Sequence, residues 1–297
     1  LLENGTVAAP YVKAAARDLK AYRDSKKYRN IPVGYSAADI SFNRPMLQDY
    51  LACGSNSSEA IDFFALNTYS WCGDSSYQQS GYNERIEESK NLNIPIFISE
   101  TGCNTPKPRT FEDQASIFGE MTSVYSGAII YEWLQEENDY GIVSYGSKLE
   151  PGAGPPPGGF VRSGTPIPVL PDFTNLSNQW KTLTPATTVK AADYKASLTA
   201  VACPSFTSND AKQWMVSGDI TLPTVGAVYQ AGDASSTGAK SSGGSESAKP
   251  TGSSQGSAQG SPTPSPTQGA APASPLREMK GMGLGLAGVL LGFFWWM

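Results

Sequence analysis

Asn93-Ile-Pro-Ile-Phe-Ile-Ser-Glu-Thr-Gly-Cys103 holds a five-residue apolar run that ends abruptly in Ser99, Glu100, Thr101 and Gly102. An apolar run without polar alternation reads as a strand buried on both faces of a parallel sheet, here delivering Glu100 at its C-terminal end. In strand–helix architectures that end is where ligands sit, because the loops leaving the strands converge there. Glu100 is therefore the first candidate for a catalytic carboxylate. The competing reading of this stretch alone is a glutamate closing a strand at the surface, where carboxylates mostly lie.

Working outward, the same pattern repeats. Ile61-Asp-Phe-Phe-Ala-Leu-Asn-Thr-Tyr69 reads as the preceding strand, with Tyr69 at its C-terminal end as Glu100 is on the next. Residues 82–90 supply a helix between them. Upstream, Ile31-Pro-Val-Gly-Tyr35 is a further strand, followed by a helix over 46–51. Before it, Pro10 suits a first helical turn, and Val12, Ala15, Ala16, Leu19 and Tyr22 recur at helical spacing above a charged face. Downstream, a helix over 111–125 with Phe111, Ala115, Phe118 and Met121 on one face leads to a strand over 127–134, then to the acidic loop Glu136-Glu-Asn-Asp-Tyr-Gly141. A closing helix carrying Phe173, Leu176 and Trp180 is expected over 170–183. Strands alternating with helices are the signature of parallel βα units. Four such strands are half of an eight-stranded barrel; a free-standing parallel sheet is the competing architecture, and it needs cover for its edges.

Composition limits the chemistry. With 297 residues and a net charge of −5, the chain offers no basic run for a nucleic-acid partner. It contains no histidine, which removes Ser-His-Asp and Cys-His nucleophiles and every histidine-based metal site. No metal and no cofactor is expected, and the chemistry must rest on carboxylates, tyrosines or lysines. Cys53, Cys72, Cys103 and Cys203 are too widely spaced for zinc pairs. Together with the sequons at Asn4, Asn56 and Asn175, they point to two disulfides in an exported glycoprotein.

The chain divides into a folded part over 1–205, a Ser/Gly/Pro/Thr-rich stalk over 206–274 and a terminal signal over 275–297. The stalk has too little apolar content to offset its ordering entropy. From Met282 the chain is apolar to Met297, shorter than the ~20 residues of a membrane span. Small residues followed by a polar spacer and such a tail form the signal for a glycosylphosphatidylinositol anchor, with Gly269, Ala270 or Ala271 as attachment candidates. A plain C-terminal membrane tail is the alternative.

The blocks Ala9-Pro-Tyr-Val-Lys-Ala-Ala, Ile31-Pro-Val-Gly-Tyr-Ser36, Ala65-Leu-Asn-Thr-Tyr-Ser-Trp-Cys-Gly73, Ser80-Gly-Tyr-Asn-Glu-Arg85, Ile98-Ser-Glu-Thr-Gly-Cys103 and Glu136-Glu-Asn-Asp-Tyr-Gly141 resemble the fungal β-1,3-glucanosyltransferases of glycoside hydrolase family 72. The resemblance runs from about Ala9 to Cys203. It implies a (β/α)8 TIM barrel, of which this chain matches the C-terminal half. The implied protein is a monomer at the outer face of the plasma membrane and in the cell wall, cleaving β-1,3-glucan with retention and passing the new end to a second glucan chain. The runner-up is a noncatalytic, anchored glucan-binding wall protein.

By the same resemblance Glu100 takes the place of the nucleophile, and Tyr69, Tyr131 and Tyr140 those of tyrosines lining the glucan cleft. Cys72 pairs with Cys103, and Cys53 with Cys203. Thr101 departs from the family's usual aromatic at that position, which is expected to alter the subsite wall. A retaining transfer also needs an acid/base carboxylate. In the family it follows an asparagine some dozen residues before the block matched here by Ala9-Pro-Tyr, so counting back runs off the chain, and Glu3-Asn4 has the two residue types in the wrong order.

Overall fold

Each apolar run becomes a strand, and the strands lie side by side in chain order. In the computed structural model, which describes residues 6–146, 160–185, 197–207, 214–218 and 220–226, β1 (Tyr35–Ala38), β2 (Phe64–Asn67), β3 (Ile96–Thr101) and β4 (Tyr125–Ile130) form a parallel sheet of order β1-β2-β3-β4. Tyr35 pairs with Phe64 and Phe64 with Ile96, and the register slips at Leu66/Asn67 so that Asn67 lies beside Glu100. The crossovers run through α2 (Arg44–Ala52), α3 (Tyr82–Ser89) and the short α4 (Asp113–Ile117). Asn4, the expected stalk beyond 226, the anchor candidates Gly269, Ala270 and Ala271 and the terminal signal lie outside the described residues.

Side chains alternate across a strand, so the sheet has two faces. Ala37, Phe64, Ile96 and Ile98 belong to one buried cluster with Leu47, Tyr50 and Leu51 of α2 and Ile117 of α4. On the other face Ser36 and Ser99 both donate to Asn67 Oδ1, at 2.8 and 2.6 Å, and Ile129 is 56% exposed. That face has no covering element among the described residues.

The first helix, α1 (Ala9–Ser25), is rotated from the expected orientation. It buries Lys13 and Lys20 together with Ala9, Ala14 and Ala16, and leaves Leu19 and Tyr22 each 57% exposed. The lysines are buried because they are fully engaged: Lys13 Nζ donates to the carbonyls of Tyr50 and Cys53 at 2.8 Å each, satisfying oxygens that the end of α2 leaves free. Lys20 Nζ reaches Ala60 O at 2.6 Å and Asp62. Spacing alone marks the apolar positions of a helix but not which of its charged residues find carbonyl partners.

Three further boundaries moved. Regular pairing of the first strand begins at Tyr35 and not at Ile31, since Pro32 has no N–H to give a ladder. The helix expected over 111–125 contracts to α4 and a 3-10 turn at Glu120–Ser123, because Phe111 sits at φ 56° and Gly119 separates the two pieces. The fourth strand consequently runs Tyr125–Ile130 and stops short of 134, where Trp133 and Gln135 turn to bond Val143 instead.

The small antiparallel pair β5 (Val143–Ser144) and β6 (Ile167–Pro168) leads to α5 (Asp172–Thr182), whose Leu176 joins Phe111, Ile142 and Val143 in a second apolar cluster. The folded region also continues past the expected boundary at 205. Trp214 and Val216 are fully buried, the Trp214 ring lies 5.4 Å from that of Tyr50, and Arg17 donates to Pro223 O at 2.6 Å. A disulfide between Cys53 and Cys203 fixes this segment to the end of α2. Few apolar residues in a Ser/Thr-rich setting suffice here because one of them is a tryptophan, which alone buries a large area.

Candidate active site

Strand ends converge by backbone pairing. Thr68 N donates to Glu100 O and Tyr131 N to Thr101 O, both at 2.8 Å, so the residues that follow β2, β3 and β4 emerge side by side. Tyr69, Glu100 and Tyr131 thereby share one rim. The Tyr69 hydroxyl donates to Glu100 Oε2 at 2.8 Å. Around it the rings of Tyr69, Tyr131 and Tyr140 form a triangle with centroid separations of 6.1, 5.6 and 5.3 Å, each pair edge to face. Edge-to-face contact is the favoured arrangement for aromatic pairs, so the three rings hold one another in place.

The electrostatics keep the Tyr69 and Tyr131 phenols protonated. Burial, and then the hydrogen bond to the Glu100 carboxylate and its charge, push the Tyr69 hydroxyl far above its ordinary value. Burial and the nearby Glu132 and Glu100 carboxylates raise Tyr131 as well. Tyr69 is thus a permanent donor to Glu100 and fixes one carboxylate oxygen.

Two loops support the rim. A disulfide between Cys72 and Cys103 ties the chain just past Tyr69 to the chain just past Glu100. Between them Gly102 adopts φ 122°, where a side chain is strained, and a Cβ there would lie 3.1 Å from Tyr131 O. The acidic loop over 136–141 is held from the other side: Asn104 Nδ2 donates to Asn138 O and Asp139 O, Lys107 Nζ bonds Asp139, and Arg109 reaches Tyr140 O at 2.7 Å. Asn138 in turn donates to Glu132 Oε1 at 2.6 Å and to the Tyr131 hydroxyl at 3.3 Å.

Thr101 does not line a subsite wall. Its side chain points behind the sheet, where it is 2% exposed and donates to the buried Asp113 at 2.9 Å. The remaining expected modification sites are separate from the rim. Asn56 is exposed, and its Oδ1 accepts from the Ser58 hydroxyl. Asn175 lies half-buried within α5, with Nδ2 donating to Arg109 O at 2.7 Å. Sequence reading overlooked Asn104, Lys107 and Arg109; the available signal was two cations and an amide directly after a strand-end carboxylate, in a chain with an acidic loop downstream.

Residues 2–150 match glycoside hydrolase family 72, the glucanosyltransferases. The chain belongs to that family. It is 44% identical over 208 residues to pH-responsive protein 2 of Candida albicans, covering 70% of this chain and 35% of that protein. It is 41% identical over 220 residues to 1,3-beta-glucanosyltransferase gel1 of Aspergillus fumigatus, covering 73% of this chain and 43% of that protein. Among solved structures, Saccharomyces cerevisiae Gas2p in complex with laminaripentaose superposes with a TM-score of 0.59 at 35% identity, covering 74% of this chain and 44% of that one. The chain therefore spans from about a third to under half of the relatives it matches. Its parallel sheet is a partial family 72 barrel. The family match ends at residue 150, whereas α5, which holds Arg109 through Asp172, lies beyond it.

Proposed function

We propose that this glucanosyltransferase chain carries the nucleophile side of a retaining transfer on β-1,3-glucan. One observation supports this above the others: a strand-end carboxylate, Glu100, oriented by Tyr69 at 2.8 Å inside a ring of three tyrosines. Aromatic rings stack on the apolar faces of sugars while a carboxylate beneath them reaches an anomeric carbon. Attack by the free Glu100 oxygen forms a glycosyl-enzyme ester and breaks the glycosidic bond. A second carboxylate, ~5 Å away in retaining enzymes, protonates the leaving oxygen and then deprotonates the acceptor hydroxyl. That acid/base residue is not among the positions the family resemblance carries onto this chain.

The test is Glu100→Gln in the full-length protein, assayed on laminari-oligosaccharides with product lengths resolved. Transfer should fall below about a ten-thousandth of wild type, since loss of a covalent nucleophile lowers the rate by about 10⁴- to 10⁶-fold, while glucan binding persists. Retention of a tenth of the activity would refute the assignment. Products longer than the substrate identify transfer, and shorter ones alone identify hydrolysis. Binding without either product would support the noncatalytic wall-protein reading.

We further propose that a glycosylphosphatidylinositol anchor, added at Gly269, Ala270 or Ala271, holds the protein at the outer face of the plasma membrane, in reach of the wall. The support is the small-residue triplet, polar spacer and apolar terminus of the sequence. Deleting residues 282–297 should move the protein from the membrane fraction into the medium; continued retention would rule the anchor out.

A further inference from the structure

Arg109 reads as a positioning residue for the glucan cleft, and this inference rests on the function proposed above. Its guanidinium is almost sealed from solvent, with the side chain 1% exposed, and its partner Asp172 is 5% exposed. Every arm is used. Nε donates to Asp172 Oδ2 at 2.7 Å, Nη1 to Tyr131 O at 3.1 Å and Nη2 to Tyr140 O at 2.7 Å, while the backbone N–H of Arg109 donates to Asp172 Oδ1 at 3.1 Å. The guanidinium also lies 4.8 Å over the Phe111 ring and 6.0 Å over that of Tyr140. Asn175, one turn further along α5, pins the Arg109 backbone as well by donating to its carbonyl at 2.7 Å.

We infer that Arg109, held by Asp172, sets the height and separation of Tyr131 and Tyr140 relative to Glu100, so that α5 is part of the binding site although it contributes no side chain to the cleft. The reasoning starts from donor geometry. A guanidinium is a rigid planar fork, so fixing Nε on a carboxylate dictates where both Nη groups point. Here they point at the carbonyls of two of the three tyrosines beside Glu100. The loop between those carbonyls, residues 131–140, is held at its exposed tip by Asn104 and Lys107 and along its length by backbone bonds of Trp133 and Gln135 to Val143, while the Arg109 side chain grips both of its ends. Burying a cation to bind two backbone oxygens is costly unless the charge is balanced, and Asp172 balances it. A merely structural ion pair would need neither carbonyl.

Because Tyr69 bonds Glu100 directly and is carried by the chain leaving β2, loosening the 131–140 loop disturbs the sugar-binding wall more than the orientation of the nucleophile. The signature is therefore a rise in KM with kcat nearly kept. Two variants separate this from simple stability, both made in the full-length protein. Arg109→Lys keeps the charge opposite Asp172 but has no fork to reach both carbonyls. Arg109→Met with Asp172→Leu removes both charges at similar volume, which restores folding where a lone deletion strands a buried charge.

Each is measured in three ways: melting temperature, hydrogen exchange of residues 131–141, and laminaripentaose binding alongside transfer kinetics. In both variants, exchange in 131–141 should accelerate about tenfold or more, the size expected from losing hydrogen bonds to a charged donor, and KM and the dissociation constant should rise by a similar factor. If the double variant folds with wild-type exchange and wild-type binding, Arg109 serves stability alone and the inference fails. Should the wild type itself not bind laminaripentaose, the functional reading falls, while the exchange measurement still decides whether Arg109 positions the loop.

Discussion

At the scale of single residues, Tyr69 is where a hydrogen bond can be removed without removing a ring. Tyr69→Phe deletes the hydroxyl that meets Glu100 Oε2 and keeps the edge contacts to Tyr131 and Tyr140. A hydrogen bond to a charged group is worth about 1.5–3 kcal/mol, so kcat should drop roughly 10- to 100-fold while laminaripentaose affinity changes little. Steady-state kinetics paired with binding calorimetry measure both; an unchanged kcat would mean that Glu100 is oriented by something else. That Glu100 and Tyr69 share one rim was legible in the sequence, because each follows an apolar run and a parallel sheet puts such ends side by side. Arg109 was not, because its partners are a carboxylate 63 residues away and two carbonyls, and a carbonyl leaves no mark on a sequence. Thr101 was legible as a departure but misplaced: the slip in register beside Glu100 turns its side chain to the helix side, where Asp113 holds it.

Helices and strands fail to be read for a different reason, which α1 and α2 illustrate. Apolar spacing located both helices, but the faces they bury depend on polar partners such as Lys13, which closes the C-terminal carbonyls of α2. On α2 itself, Asp49 is pushed up to about 6 by burial, with Gln48 offsetting part of the rise. The sign follows directly: a carboxyl whose folded value lies above its unfolded value, about 3.9, binds protons more tightly when folded, so its ionisation costs stability. That cost is full above about pH 6 and is relieved as the pH falls toward about 4. Asp49→Asn should therefore raise the melting temperature at about pH 7 and have a shrinking effect toward about pH 4. Asp139 acts in the opposite sense, since its hydrogen bond to Lys107 holds it below the usual range and that contribution is lost on acidification. Comparing the Asp49→Asn variant with wild type at each pH isolates Asp49 from it; a variant no more stable than wild type at neutral pH would show that the carboxylate is solvated or paired.

For the molecule as a whole, the sheet has one finished face and one open one. The four parallel strands and their order were readable from alternation of apolar runs with helices, whereas the extent of the folded region was not, because Trp214 secures a segment that composition assigns to the stalk. The open face carries Ser36, Asn67, Ser99 and the 56% exposed Ile129, and among the described residues no strand pairs with the outer edge of β1 or of β4. Parallel sheets are ordinarily covered on both faces, and barrels remove the edges by closing. The disulfides Cys53–Cys203 and Cys72–Cys103 close separations of 150 and 31 residues, and by chain entropy each contributes on the order of 3 to 5 kcal/mol. They narrow the unfolded ensemble but supply no apolar surface to cover Ile129, nor donors for a free strand edge. Residues 1–241 produced by themselves in an oxidising compartment should therefore unfold over a broad, weakly cooperative range, associate with rising concentration through the β1 edge and the open face, and fail to elongate laminari-oligosaccharides. Calorimetry, sedimentation and product analysis on the same preparation check the three parts. A sharp two-state transition in a monomer would show that the half-sheet and its helices are self-sufficient, and elongated products would mean that a carboxylate already in this chain, with Glu132 and Glu136 near Tyr131 as the first to test, acts as the acid/base partner of Glu100.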